Sequence, residues 1–377
     1  MTRTANRRRT LTADMVGDAL RLRILREGLT VGTRLPGYWD LTRELDVAYV
    51  TVKRGVDALV ENGVVTRING KGLFVGKRAV RRREALDTVL VAFPTSMNHV
   101  LSYAYATDMA RGALAALNSA GIHHHVRSMV ADGIFFGDYV DDLNADAVIM
   151  MGVQNDDYLR MALNWGRTIV TLDYCSTAVP MDFVACDNHA AARYCVERLA
   201  RLGHRRFAYI GGKGVSEILM RERAEERMVM RASDAPERRA GVLEAAAACG
   251  LPEPRLIQEP VDGTSWEASL KQAFDSGAEQ PTAVLLESDI DAPTAIRCLA
   301  ERGLRVPEDV SVSAVAGAGE VEECPELAYC RFDFRAMGRK GVEVLRERFA
   351  DRSEPVNRIH RIGFEWVEGG STREARA

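Results

Sequence analysis

Apolar positions recur at helical spacing near the start of the chain. Behind Thr12, which can serve as an N-cap, Met15, Ala19 and Leu22 form one row and Val16, Leu20 and Ile24 a second. They predict a helix through about Arg26 that Gly28 ends. Pro36 stands ahead of a short helix over about 38–45, and Asp46 occupies the next turn. Val52, Val56 and Leu59 mark the buried face of a third helix, about 48–62, stopped by Gly63. VVTRING and KGLFVG then read as two strands around Asn69-Gly70, with both central residues able to take positive φ. Three helices and a hairpin make a winged helix-turn-helix, in which the third helix enters a DNA major groove and the wing touches backbone or minor groove.

The pattern changes after residue 88. VLVAF (89–93), HHHVRSM, AVIMM (147–151), TIVTLD (168–173), FVACD (183–187), FAYIGG (207–212), RLIQ (255–258), AVLLE (283–287) and VSVSAV (310–315) are short apolar strands. Helical segments separate them around 103–120, 189–202, 236–249 and 292–302. Such alternation predicts parallel sheets covered by helices on both faces, with ligands at the carboxyl ends of the strands. The length suits two similar lobes with a cleft between them. The predicted class is α/β: a winged helix-turn-helix over 1–76, a basic linker over 77–87 and a two-lobed Rossmann-like domain over 88–377.

Charge sharpens this division. The formal net charge is −3, yet residues 1–83 carry 18 Lys/Arg against 8 Asp/Glu, leaving 32 against 45 for residues 84–377. A basic domain on an acidic body is the footprint of nucleic-acid binding confined to one end. GKRAVRRREALDT (76–88) reads as a solvated linker, with DNA-backbone contact beside the wing as the functional alternative. The seven cysteines (Cys175, Cys186, Cys195, Cys249, Cys298, Cys324 and Cys330) contain no CxxC pair. Reduced, mostly buried thiols are expected, not a disulfide framework or a metal site. No apolar run reaches the roughly 18–20 residues that cross a bilayer, and the basic N-terminus has no apolar core behind it as a secretory signal would. A cytoplasmic protein without membrane association is expected.

Residues 12–76 resemble the GntR family of bacterial regulators. The resemblance rests on G-x-x-x-G-x-x-LP (Gly28 to Pro36), L-x-x-x-L-x-V (Leu41 to Val47), TVKR-x-V-x-x-L (Thr51 to Leu59), NGVV and G-x-G-x-FV (Gly70 to Val75). It implies a DNA interface built from Tyr49, Thr51, Lys53, Arg54, Arg67 and Lys71, helped by Arg7–Arg9. Two departures stand out. The family's P-S-x-R is here Pro36-Gly37-Tyr38-Trp39, and its V-S-R is here Val47-Ala48-Tyr49, so Trp39 and Tyr49 replace arginines. An arginine fork reads guanine bidentately and tyrosine does not. The resemblance therefore carries over no operator sequence.

Residues 88–372 are similar to the sensor domain of the LacI/GalR regulators, which is related to periplasmic sugar-binding proteins. The carrying segments are VACDNHAAARYCVERLARLGHRRFAYIGG (184–212), RRAGVLEAAAACG (238–250), AVLLESD (283–289), GLRVPEDVSV (303–312), DFRAMGRKGVEVL (333–345) and GST (370–372). Position by position, the similarity implies that Arg238, three before Gly241, grips an effector, with Arg239 as the fallback. It also implies Trp266 as a ring stacking on a sugar, and Asp173, Ser288 and Asp289 as polar contacts at strand ends. Ala314-Val315-Ala316-Gly317 replaces the family's acidic G-F/Y-D-D, and Met150 and Met151 end a strand where polar contacts are frequent. Both point to a less hydroxylated ligand or an altered pocket.

Together the resemblances imply a homodimeric, ligand-responsive transcriptional repressor that binds a double-stranded DNA operator and a small effector, a sugar or sugar derivative, without a cofactor. Trp39 and Tyr49 leave a second reading open, a ligand-binding module that no longer binds specific DNA. An enzyme is motivated by fold class alone. GGKG (211–214) lacks P-loop spacing, no GxGxxG follows the first strand, and neither G-x-S-x-G nor HExxH occurs. His123–His125 alternate faces on a strand and cannot converge on one ion. EILMRERAEERMVMRASDAPERR is a long, charged insertion with no assigned role.

Overall fold

The computed structural model describes residues 12–27, 29, 31–61, 63–76, 85–94, 101, 103–128, 140, 143, 145–165, 167–211, 235–257, 266–275, 280–317, 324, 326–351 and 356–376. Arg7–Arg9, Gly28, the linker over 77–84, the insertion over 212–234 and Glu320 lie outside them.

In the head, α1 (Ala13–Arg26), β1 (Arg34–Leu35), α2 (Tyr38–Leu45), α3 (Tyr49–Glu61), β2 (Val65–Ile68) and β3 (Gly72–Val75) surround one small core. Val16 and Leu20 of α1 meet Val52, Val56 and Leu59 of α3, the rows expected from their spacing. Gly55 is required here: a Cβ would run into the Ala13 carbonyl and the Val16 side chain, so α1 and α3 cross almost backbone to backbone. Asp46 takes the left-handed conformation (φ 52°) that turns α2 into α3, a region where a short polar side chain is tolerated. The sheet runs β1-β3-β2, antiparallel.

The wing turn corrects the expected two-residue loop. Ile68 pairs with Gly72, so three residues span the hairpin, and Lys71 N–H donates to the Ile68 carbonyl at 3.0 Å. Only Gly70 of the Asn69-Gly70 pair has positive φ (74°), the requirement at the third position of a type II turn.

The remainder forms two lobes of the same topology. The first holds β4 (Thr88–Phe93), α4 (Ala104–Ser119), β5 (His123–Ser128), β6 (Ala147–Met151), α5 (Asp156–Ala162), β7 (Thr168–Leu172) and β8 (Asp182–Cys186). The second holds α6 (Asn188–Arg201), β9 (Phe207–Ile210), α7 (Ala235–Ala248), β10 (Arg255–Ile257), α8 (Trp266–Ala273), β11 (Ala283–Leu286), α9 (Ala292–Ala300), β12 (Ser311–Gly317) and β13 (Ala328–Phe332). The chain returns to the first lobe for α10 (Phe334–Ala350) and β14 (Arg358–Ile362), then to the second for β15 (Phe364–Val367).

The sheets read β14-β8-β7-β6-β4-β5 and β10-β9-β11-β12-β13-β15; every pair is parallel except β13 with β15. In each, the first strand of the lobe lies between its second and third, which opens the switch point where such folds bind ligands. The chain therefore crosses between lobes three times, at Asp187, Asp333 and Gly363. Asp187 and Asp333 cap the helices that follow, accepting from Ala190 N–H at 3.1 Å and Ala336 N–H at 2.8 Å. Phe332, Phe334 and Phe364 pack edge to face around the crossings.

One face of both sheets shares a continuous core under α4, α6, α7 and α10. Here Gly112 and Gly338 let α4 and α10 touch, since a Cβ on either would strike the other helix's backbone. The expectation that Met150 and Met151 line the pocket is corrected: they are 0% and 1% exposed and face opposite cores. His123–His125 lie on the edge strand β5. All seven cysteines are free thiols, five of them buried.

Candidate functional site

Two regions concentrate chemistry. In the head, Tyr49 opens α3, and its ring lies 4.8 Å from that of Trp39 on α2 and 5.9 Å from Tyr38. Tyr49 stands one turn before Lys53, and Val50 one turn before Arg54, so these four share one side of the helix. Thr51 is half-buried, while Lys53 and Arg54 are exposed. Lys53 donates to Asp57 at 2.9 Å, and Arg67 of the wing pairs with the same carboxylate. The Lys53 hydrogen bond comes first among the causes that hold Asp57 below the ordinary carboxylate range. The Arg67 guanidinium also sits 5.6 Å from the centre of the Tyr38 ring. Asp57 and Tyr38, neither singled out from the sequence, thus fix the wing against α3. Lys71 is exposed at the wing tip.

The second region lies where the carboxyl ends of β7, β8, β9 and β11 approach the crossings. Arg238, in the first turn of α7, donates from Nε to Asn188 Oδ1 at 2.9 Å and from Nη1 to the Glu287 carbonyl at 3.1 Å. It thereby ties the start of α6 to the end of β11. Ser288 and Asp289 follow Glu287 directly, and Ser288 Oγ donates to Asp289 Oδ1 at 3.2 Å. Arg238, Ser288 and Asp289 are therefore brought together. Arg239, the fallback, is exposed on the next position of the helix. Asn188 belongs to the V-x-x-D-N string, which was the signal that could have found it.

Asp173 belongs to the first lobe, directly after β7. Its φ is 62°, unusual for a residue with a Cβ, and its N–H donates to the Val184 carbonyl at 2.9 Å. The loop behind it is held by Asp156, which accepts from Tyr174 at 2.9 Å and from Ser176 at 2.9 Å. Cys175 on that loop donates to Glu237 of α7 at 3.2 Å. Burial and the Glu237 carboxylate push the Cys175 thiol up to about 11, so it stays protonated. Arg361 of β14 grips Glu237 with both terminal nitrogens, at 2.7 and 2.9 Å. Burial works to raise the Glu237 carboxyl, but the Arg361 and Cys175 hydrogen bonds outweigh it and hold the group ionised. Beside the cleft, Glu287 is buried and accepts from Tyr209 at 3.3 Å.

Trp266 belongs to the core of the second lobe. It opens α8 at 2% exposure, packed with Ala208, Ile210, Ile257 and Leu270. The ring is a buried core side chain in this structure.

Comparison with known proteins finds matches for both parts of the chain. Residues 12–75 match the bacterial regulatory proteins of the gntR family, and residues 196–372 match the periplasmic binding protein-like domain. The regulator CelR of Thermobifida fusca is 27% identical over 340 residues, which cover 84% of this chain and 95% of CelR. The repressor MelR of Bacillus subtilis is 27% identical over 229 residues, 60% of this chain and 64% of MelR. MalR of Streptomyces coelicolor is 26% identical across 89% of this chain and 96% of its own length.

Among solved structures, the CelR–cellobiose complex superposes with a TM-score of 0.59 at 22% identity, covering 96% of this chain and 99% of that one. The lac repressor dimer bound to operator and the anti-inducer ONPF gives 0.57 at 19% identity, covering 77% and 95%. The family matches and the regulators that the chain is similar to define the class as a DNA-binding transcriptional regulator. This chain joins a gntR-family helix-turn-helix head to a periplasmic-binding-protein-like sensor. Among the described residues, no helix is long and apolar enough to cross a membrane.

Proposed function

We propose that this regulator is a cytoplasmic homodimeric repressor, organised as a head over 1–76, a linker over 77–87 and an effector-binding and dimerising body over 88–377. Its head binds operator DNA through Tyr49, Thr51, Lys53, Arg54, Arg67 and Lys71. Its effector is a saccharide or sugar derivative held between the lobes by Arg238, Asp289, Ser288 and Asp173. The observation that carries the reading is Arg238, whose guanidinium is fixed by Asn188 and the Glu287 carbonyl beside two further polar side chains. A pre-oriented guanidinium loses little entropy on gripping a hydroxyl or carboxylate. CelR, solved with cellobiose, supports the saccharide class. The lac repressor, solved as a dimer on its operator, supports the assembly.

Ligand between the lobes favours one relative lobe orientation, and through the linker one spacing of the two heads. The test is a thermal-shift panel of cellobiose, pentoses, hexoses, uronates and small acids on the intact protein, because a ligand at a hundred times its Kd stabilises by about 2.7 kcal/mol. A saccharide should raise Tm in the wild type and much less in Arg238→Ala. A panel in which only non-saccharide acids act would overturn the saccharide class.

A further inference from the structure

Four of the seven exposed large apolar side chains among the described residues are in the small head: Val31, Trp39, Val50 and Ile68. Within the head, Trp39 and Val50 are the most exposed of the four, at 67% and 62%. Both flank Tyr49, at the amino-terminal turns of α2 and α3. These positions are not needed for the core, which Leu41, Val52, Val56 and Leu59 fill from the opposite side. An open tryptophan packed against a tyrosine at 4.8 Å, with the rings tilted by 32°, forms an apolar platform. Lys53 and Arg54 lie one turn along α3, and Arg67 and Lys71 lie on the wing. The platform is thus set among cations, in a domain whose residues 1–83 hold 18 Lys/Arg against 8 Asp/Glu. That surrounding charge disfavours a second copy of the head as occupant and favours a polyanion.

The amino-terminal residues of the third helix are those that reach base edges in the major groove. There the apolar feature a base can present is the C5-methyl group of thymine. We propose that Trp39, Tyr49 and Val50 form a methyl-reading patch, so that this regulator selects thymines at the half-site positions facing the start of α3. The cations around the patch supply affinity that is blind to sequence. This inference rests on the DNA-binding reading above and adds the chemistry of specificity to it.

The experiment uses the intact protein and duplexes selected by it from a randomised pool. Each thymine of a selected duplex is replaced in turn by deoxyuracil, which removes one methyl group and leaves every hydrogen-bonding edge in place. Affinity should fall about fourfold at one or two thymines per half-site, the worth of burying one methylene-sized group. Trp39→Ser with Val50→Ser should abolish that sensitivity and leave the slope of affinity against salt unchanged. Both side chains are mostly exposed, so the head keeps its core. Equal binding of every deoxyuracil duplex by the wild type, or sensitivity that persists in the variant, overturns the patch and leaves DNA binding intact. Failure to enrich any duplex overturns the DNA-binding reading, and the patch with it.

Discussion

Glu237 and Arg361 form a bidentate ion pair, at 2.7 and 2.9 Å, that joins the two lobes beside Arg238. Glu237 stands on α7 of the second lobe and Arg361 on β14, the edge strand of the first. Arg361 also donates to the Cys186 carbonyl at 2.9 Å, anchoring it at the crossing into α6. The pair therefore bears on lobe orientation as well as on stability.

Its strength is measurable by a double-mutant cycle with Glu237→Gln and Arg361→Gln in denaturant unfolding. The side chains are 30% and 33% exposed, so solvent screening limits the coupling to about 0.5–1 kcal/mol. The folded Glu237 carboxyl titrates below its ordinary value of 4.5. The contribution is thus present above that pH and lost as pH falls through the depressed value. Zero coupling at neutral pH contradicts the interlobe contact.

His204 fastens the carboxyl-terminal segment. Its ring nitrogens meet Thr282 Oγ1 at 2.9 Å, Ser311 Oγ at 3.0 Å and the Arg373 carbonyl at 3.0 Å. Burial lowers its pKa from the ordinary 6.5, so the folded state holds the neutral ring. The unfolded chain then binds the extra proton first, and the contribution is complete above 6.5 and declines as pH falls below it. Between about pH 7.5 and 5.5, Tm should fall more steeply in the wild type than in His204→Gln. Parallel profiles would contradict the assignment.

Reversing Lys53 and Arg54 to Glu should abolish binding of the intact protein to duplex DNA while the head stays folded, at a cost of about 1 kcal/mol or less for the lost exposed Lys53–Asp57 pair. In the wild type, four to six phosphate contacts per head give a slope of log affinity against log salt of roughly −4 to −5. Unchanged affinity in the double variant would contradict the orientation of α3.

Trp266→Ala should lower stability by about 3–5 kcal/mol, the cost of emptying a large core position, as its 2% exposure implies. A ring serving only as a stacking platform would instead leave unfolding unchanged and reduce saccharide affinity. Chemical unfolding and calorimetry on the same variant separate the two.

The strands and helices were legible because their apolar periods of 2 and 3.6 decide burial locally. Val52, Val56 and Leu59 sit in the head core as their spacing implied. Contacts made across the fold were not legible. Nothing within α3 announces that Asp57 would receive both Lys53 and Arg67, or that Glu237 would meet a partner 124 positions along the chain. The burial of Trp266 and Met150 was not legible for a related reason. Apolar residues near strand ends can line a pocket or fill the layer beneath it, and only the packing of α8 and the first-lobe helices decides which. The wing turn differed because three residues, closed by Lys71 on Ile68, take the place of two.

In the regulation proposed above, a saccharide between the lobes controls DNA binding by the head through Arg238. Fluorescence anisotropy of a selected duplex, titrated with intact protein in the presence and absence of the saccharide that raises Tm most, tests it directly. DNA affinity should change by about tenfold or more, a coupling of roughly 1.4 kcal/mol, and the change should disappear in Arg238→Ala while that variant still binds DNA. DNA affinity that is unmoved by saturating saccharide, or an Arg238→Ala protein that responds as the wild type does, would contradict it.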